Sequence, residues 1–198
     1  PICLTRQYDT QTTCRVLSGM KKATSPNPSA PSRSFPTDRP ALCRLLLQSV
    51  EKIGPIILQH KDASEKGRQL APEVVAAMRD SDLLMMKSPR EIGGAEIHPV
   101  DQMAIVEAVT LLDSAAAWSM FITATVSGRA LSVLSDQAVA EMLAGEQFPI
   151  MAGSLKPGGS AIEVEGGFRI SGQWAWGSGV HQADYVVVPA LRQDKSGL

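Results

Sequence analysis

The chain has 198 residues, a formal net charge of −1 and 44% hydrophobic residues, enough to bury one ordinary core or two small ones. Its Lys and Arg residues are scattered, so they build no basic field for nucleic acid. Its longest apolar stretch, Ala115 to Val126, is interrupted by Ser119, Thr123 and Thr125 and soon followed by Arg129, which falls short of a membrane span. Cys3, Cys14 and Cys43 show no Cys-x-x-Cys spacing, and His60, His98 and His181 lie far apart, so no metal site is expected and a reducing compartment, the cytoplasm, is the simplest setting.

Residues 1–38 are rich in Ser, Thr and Pro, with Pro26, Pro28, Pro31 and Pro36 blocking regular structure, and read as a disordered leader. Met20-Lys21-Lys22 has the form of a translation start, which makes the preceding residues upstream sequence. The scarcity of acids offers a transit peptide as the rival reading, against which the prolines speak. From Pro40, Leu42, Leu45, Leu46, Val50, Ile53 and Ile57 recur at helical spacing, and Gly54-Pro55 is expected to kink or divide the segment. Pro72 opens a second amphipathic helix carrying Val74, Val75, Met78, Leu83 and Leu84 and ending near Ser81 or Asp82. Pro89 to Pro99, with Gly93-Gly94, is a loop.

A third helix is predicted from about Val100 to Leu112, with Met103, Val106, Val109 and Leu112 on its apolar stripe. Asp113-Ser114 caps a largely apolar helix to about Val133, and Ser135-Asp136 caps a short one to Ala144. After Gly145 the period changes to short alternating segments: Ile150 to Leu155, Ala161 to Glu165, Phe168 to Trp176 and Tyr185 to Ala190. The order predicts an α+β chain, a helical domain over 39–146 followed by a β domain over 147–198.

The densest chemistry lies in the last third. Gly166-Gly167 reads as a two-residue hairpin turn, flanked by the alternating apolar residues Ile162, Val164, Phe168 and Ile170. On the continuing strand Trp174 and Trp176 are expected to share a face, while Gly177 and Gly179 leave backbone room around Ser178, a setting for a flat aromatic ligand. Gly153 to Gly159 lacks the Gly-Lys-Ser/Thr ending of a phosphate loop. Gly177-Ser178-Gly179 lacks the third glycine of a dinucleotide fingerprint, so both read first as turn chemistry. Neither Ser154 nor Ser178 sits in a Gly-x-Ser-x-Gly nucleophile elbow.

Three segments in order resemble the acyl-CoA dehydrogenase superfamily. Pro89-Arg90-Glu91-Ile92-Gly93-Gly94 is similar to its PxxxGG loop, and Asp113-Ser114-Ala115-Ala116-Ala117-Trp118 to its DxSxAW helix start. Gly166 to Trp174, followed by Trp176-Gly177-Ser178-Gly179, is similar to its GGYxLSGxWxFxSG strands, in the form of the flavin-dependent monooxygenase branch. The resemblance spans about Arg39 to Leu191. It implies an N-terminal helical domain, a central domain forming a partial antiparallel β-barrel that cups a flavin, and a C-terminal helical bundle that closes the site and builds a homo-oligomer. With that bundle absent here, the chain reads as a fragment or an incomplete gene product.

The same resemblance places Trp176, Ser178 and Gly179 beside the isoalloxazine ring of FMN or FAD, Ser154 facing flavin or substrate, and Trp118 on the substrate-pocket wall. Catalytic residues are not assigned. Trp118 reads equally as a buried helix aromatic and Trp174 as ordinary core. Several phenol hydroxylases of the branch carry a histidine where this chain has Thr125-Val126-Ser127, which weakens a phenolic substrate, and Lys156 stands where the dehydrogenases' loop carries an acid. The implied function is the oxygenase component of a two-component monooxygenase, acting on an aromatic or heteroaromatic small molecule with O2 and with reduced flavin from a separate reductase. The alternatives are an acyl-CoA dehydrogenase and a non-catalytic remnant.

Overall fold

The computed structural model describes residues 34–145, 147–165 and 167–193, together with two short strands, β1 (Ile2–Cys3) and β2 (Thr13–Cys14). The expected leader lies outside the described residues apart from those two strands and residues 34–38. The first helix, α1, runs unbroken over Arg39–Gly67. Asp38 caps its start, its Oδ2 accepting from the Ala41 amide at 2.8 Å, and Arg68 ends it in the left-handed conformation. Pro55 sits inside this helix without dividing it. A proline in a helix interior costs about 3 kcal/mol, whereas each large apolar side chain buried contributes about 1.5–3 kcal/mol. The continuous buried row Leu42, Leu46, Val50, Ile53 and Ile57 therefore holds both halves on one axis.

Helix α2 (Pro72–Asp80) stops at Ser81, whose hydroxyl accepts from the Leu83 amide and opens a tight 3-10 turn over Asp82–Met85. Leu83 and Leu84 are thus outside the second helix, and the turn buries both together with Met85. Helix α3 (Pro99–Thr110) inserts Gln102, Ile105 and Val109, so the buried stripe is rotated from the predicted one. Val106 and Leu112 remain at its margin, while Met103 is 62% exposed. The cause is local composition: α3 is apolar nearly all round, so periodicity within the helix does not single out a face, and contact with α1 and α4 does. Helix α4 (Ser114–Val133) begins at Asp113, whose Oδ1 accepts from the Ala116 amide at 2.6 Å, and α5 (Asp136–Leu143) begins at Ser135.

The Gly93-Gly94 pair has a packing role in the loop before α3. Gly93 takes a φ of +82°, and a Cβ on Gly94 would lie 2.6 Å from the Ser88 side chain. Removing both side chains lets segment 94–97 pair with 85–88, as in Ile97 N–H donating to Met86 C=O at 2.8 Å.

The remaining strands are β3 (Met151–Gly153), β4 (Gly159–Val164), β5 (Gly167–Gly172), β6 (Tyr185–Pro189) and β7 (Leu191–Gln193). They form a sheet of order β1-β6-β3 and another of order β2-β5-β4-β7. Both sheets are small and mixed: β3 runs parallel to β6 and β4 parallel to β7, where an antiparallel barrel was expected. Parallel neighbours arise because the chain crosses between sheets before returning. The main core extends from α1 through Phe148, Ile150 and Met151, so β3 is rooted in the helical layer. Val188 packs with Ile170, Trp174 and Val186 in a separate small cluster.

The β4–β5 hairpin is shifted by one residue from expectation. Val164 pairs with Gly167 and Glu163 with Phe168, which makes Gly167 a strand residue. Paired residues share a face, so Phe168 and Ile170 lie with Ala161 and Glu163, while Ile162 lies opposite, beside Arg169.

Candidate functional site

The segment after β5 separates the two tryptophans that were expected to share a strand face. The strand ends at Gly172, so Trp174 and Trp176 belong to the loop leading to β6. Trp174 turns inward and its Nε1–H donates to Pro189 C=O at 2.9 Å. Its indole fills the space that three glycines leave: a Cβ on Gly159 would lie 2.6 Å from the Trp174 ring, one on Gly172 2.9 Å and one on Gly158 3.0 Å. These glycines accommodate an indole rather than a phosphate. Trp176 points the other way, is 89% exposed and has a φ of +65°. A bulky residue at positive φ is a genuine backbone outlier.

Two residues farther on the loop meets the helical layer. Trp118 Nε1–H, on the first turns of α4, donates to Ser178 Oγ at 3.1 Å, joining residues 60 positions apart. Trp118 is 55% exposed and leans on Phe121, with ring centroids 6.0 Å apart at a tilt of 40°. Gly179 follows with φ +80°, and a Cβ there would lie 3.3 Å from Thr123 Oγ1 and 3.9 Å from the Ala152 side chain. Gly179 thus lets the backbone pass between α4 and β3. Ser154 lies just beyond β3, two residues from Ala152. Its amide donates to Val187 C=O at 3.1 Å and its Oγ accepts from the Lys156 amide at 3.4 Å. Trp118, Ser178 and Gly179 therefore meet, whereas no hydrogen bond among the described residues ties Ser154 or Trp176 to them.

A clamp far apart in sequence sets the height of this loop. Arg79 of α2 donates through Nη1 to Asp184 Oδ2 at 2.6 Å and to Phe148 C=O at 3.0 Å. The same Asp184 oxygen accepts from the Ile150 amide at 2.8 Å, and the Asp184 amide donates to Ile150 C=O. Asp184 stands at the start of β6, so it fixes where the Gly177–Ala183 turn leaves the sheet. Beside that turn a cleft of about 520 Å³ opens between the ends of α1 and α4, with Lys61, Arg68, Ser119, Gly179 and His181 on its walls. A second cleft of about 330 Å³ shares His181 and Gln182 and reaches Arg79. Sequence reading missed both the clamp and the clefts, since a pairing across 105 residues leaves no local pattern.

Among the described residues no group of three or more His, Cys, Asp or Glu side chains is arranged to hold a metal ion. Nor is any described helix long and apolar enough to cross a membrane.

Residues 49–145 match the family model of the acyl-CoA dehydrogenase N-terminal domain. A pigment production hydroxylase of Rhodococcus sp. is 28% identical over 71% of this chain and 36% of its own length. The oxygenase component of p-hydroxyphenylacetate 3-hydroxylase from Acinetobacter baumannii is 25% identical over 77% of this chain and 36% of its own. The chain thus spans little more than a third of these relatives. Among solved structures, XiaF from Streptomyces sp., in complex with FADH2 and glycerol, superposes with a TM-score of 0.71 at 23% identity, covering 79% of this chain and 39% of XiaF. Residues 49–145 are therefore similar to the acyl-CoA dehydrogenase N-terminal domain, and with the strands that follow the chain resembles hydroxylases and their oxygenase components in sequence and XiaF in fold.

Proposed function

We propose that the chain is the N-terminal and central part of the oxygenase component of a two-component flavin-dependent monooxygenase acting on an aromatic or heteroaromatic small molecule. The observation that carries this reading is the Trp118–Ser178 hydrogen bond, which joins the helical layer to the glycine-flanked loop at the place where the sequence resemblance puts the flavin. The relatives' names support it, since they are hydroxylases and an oxygenase component, and one structural neighbour carries FADH2.

The residues present suit FMN or FAD. Ser178 offers a hydroxyl, Gly179 a backbone that a flat ring can approach closely, and Trp176 an uncovered indole face for stacking. Ser154, on the adjoining turn, faces flavin or substrate in this reading, and Trp118 borders the pocket. The reduced flavin, delivered by a separate reductase, supplies the electrons that activate O2 for transfer of one oxygen atom to the substrate. The protein's part is to orient the ring edge, exclude water and keep Ser178 in hydrogen-bonding reach. Thr125-Val126-Ser127 offers no imidazole to a phenol, which favours a substrate that needs no base at that position. The setting is a cytoplasmic homo-oligomer.

Fluorescence titration of the chain with oxidised and reduced FMN and FAD tests the proposal. Binding should be weak, because the open face around Trp118 and Trp176 leaves the ring in water, and Ser178→Ala should weaken it further by about threefold to tenfold. A folded chain that binds no flavin at millimolar concentration would refute it.

A further inference from the structure

A guanidinium carries several N–H donors, and the clamp on Asp184 spends only one end of the Arg79 fork. Nη1 donates to Asp184 Oδ2 at 2.6 Å and to Phe148 C=O at 3.0 Å, which uses both of its hydrogens. Nη2 reaches Asp184 Oδ1 only at 3.5 Å, and Nε–H has no partner among the described residues. The side-on edge formed by Nε and Nη2 is therefore left open, although the side chain is only 14% exposed. Two parallel N–H groups at that spacing match the two oxygens of a carboxylate. The edge is also set in advance, because Asp184 is itself fixed by the Ile150 amide.

Arg79 borders the cleft of about 330 Å³. That volume lies at the small end of ligand pockets, about 300–1,000 Å³. Leu70, Pro72 and Val75 give the cleft an aliphatic wall, Gln69, Gln182 and His181 give it a polar rim, and none of the described residues on its walls is acidic. We propose that this cleft is a binding site for a short aliphatic monocarboxylate, its carboxylate on the Nε–Nη2 edge of Arg79 and its tail on Pro72 and Val75. Asp184 already offsets most of the guanidinium charge, so a singly charged acceptor suits the site and a phosphate dianion does not. Trp118 and Ser178 are not on its walls, so it stands apart from the proposed flavin site and does not depend on it.

The test titrates the chain with hexanoate and follows the ¹⁵N-resolved Arg79 Nε–H resonance. Hexanoate should shift that resonance saturably, hexanol should bind about tenfold more weakly, and inorganic phosphate should leave the resonance in place. Arg79→Lys keeps a cation for Asp184 but loses the side-on edge, and should weaken hexanoate about tenfold in calorimetry. Gln69→Glu places an acid on the exposed rim away from the clamp, and should weaken hexanoate about twofold to fivefold with the melting temperature unchanged. The absence of a saturable shift at millimolar hexanoate overturns the proposal, as does full affinity in either variant. Hexanol binding as well as hexanoate, or phosphate shifting the resonance as hexanoate does, overturns it equally, because the cleft would then select only apolar bulk or only charge.

Discussion

Asp184→Ala removes the acceptor at the centre of the clamp between α2 and the strands. It deprives Arg79 Nη1 of its 2.6 Å partner and the Ile150 amide of its 2.8 Å partner, leaving Arg79 with Phe148 C=O. Each hydrogen bond to a charged group contributes about 1.5–3 kcal/mol, and removing one partner of a fully buried pair costs about 3–5 kcal/mol. The Arg79 side chain is only 14% exposed but that of Asp184 is 39% exposed, so water replaces part of what is lost. The expected cost is about 2–3 kcal/mol, the lower part of those ranges after discounting for solvent. At about 2–4 °C per kcal/mol for a chain of this size, the melting temperature should fall by roughly 4–12 °C. Urea denaturation followed by far-UV circular dichroism measures it, with an unchanged m value showing that the native fold is retained. Arg79→Met in the Asp184→Ala background should restore part of the loss by removing the stranded charge. A cost below about 0.5 kcal/mol, or a double variant less stable than either single one, would show that the clamp is not what holds the strands to α2.

Gly128→Ala puts a Cβ 2.6 Å from Lys87 C=O, so it should destabilise by about 1–3 kcal/mol although alanine is the better helix former, as thermal melts will show. Ser127→Ala should be neutral or mildly stabilising in the same melts, because the Ser127 hydroxyl is fully buried without a hydrogen-bond partner. Hydrogen bonding from the Arg39 guanidinium holds the Asp101 carboxyl below the ordinary carboxylate range. Its contribution is present above the unfolded carboxylate pKa and lost as pH falls through the lower folded value. Arg39→Gln should therefore narrow the gap in acid stability between pH 5 and pH 2, read from urea midpoints; an identical pH profile would remove the pair from the stability account.

Sequence alone determined the features written in short-range chemistry. Asp113 and Ser135 cap α4 and α5 because a short side chain with an oxygen satisfies amides two or three residues on, and Pro72 opens α2 for an equally local reason. The change from helices to strands near residue 147 was legible from the change of hydrophobic period, and the family resemblance from three motifs in order. Tertiary structure decided whatever depended on a neighbour far along the chain. The Gly54-Pro55 step stayed helical because a buried row on both sides outweighs one missing hydrogen bond, and α3 turned its Met103 outward because α1 and α4 chose its buried face. The hairpin turn came one residue earlier than the Gly166-Gly167 pair suggests, so that Gly167 pairs with Val164 as a strand residue. Trp174 and Trp176 look equivalent in sequence, yet one is claimed by Pro189 C=O and three glycines while the other stands in solvent. Trp118 and Ser178 stood out separately in the sequence as candidates; their hydrogen bond did not, since only folding brings α4 and the loop before β6 within 3.1 Å.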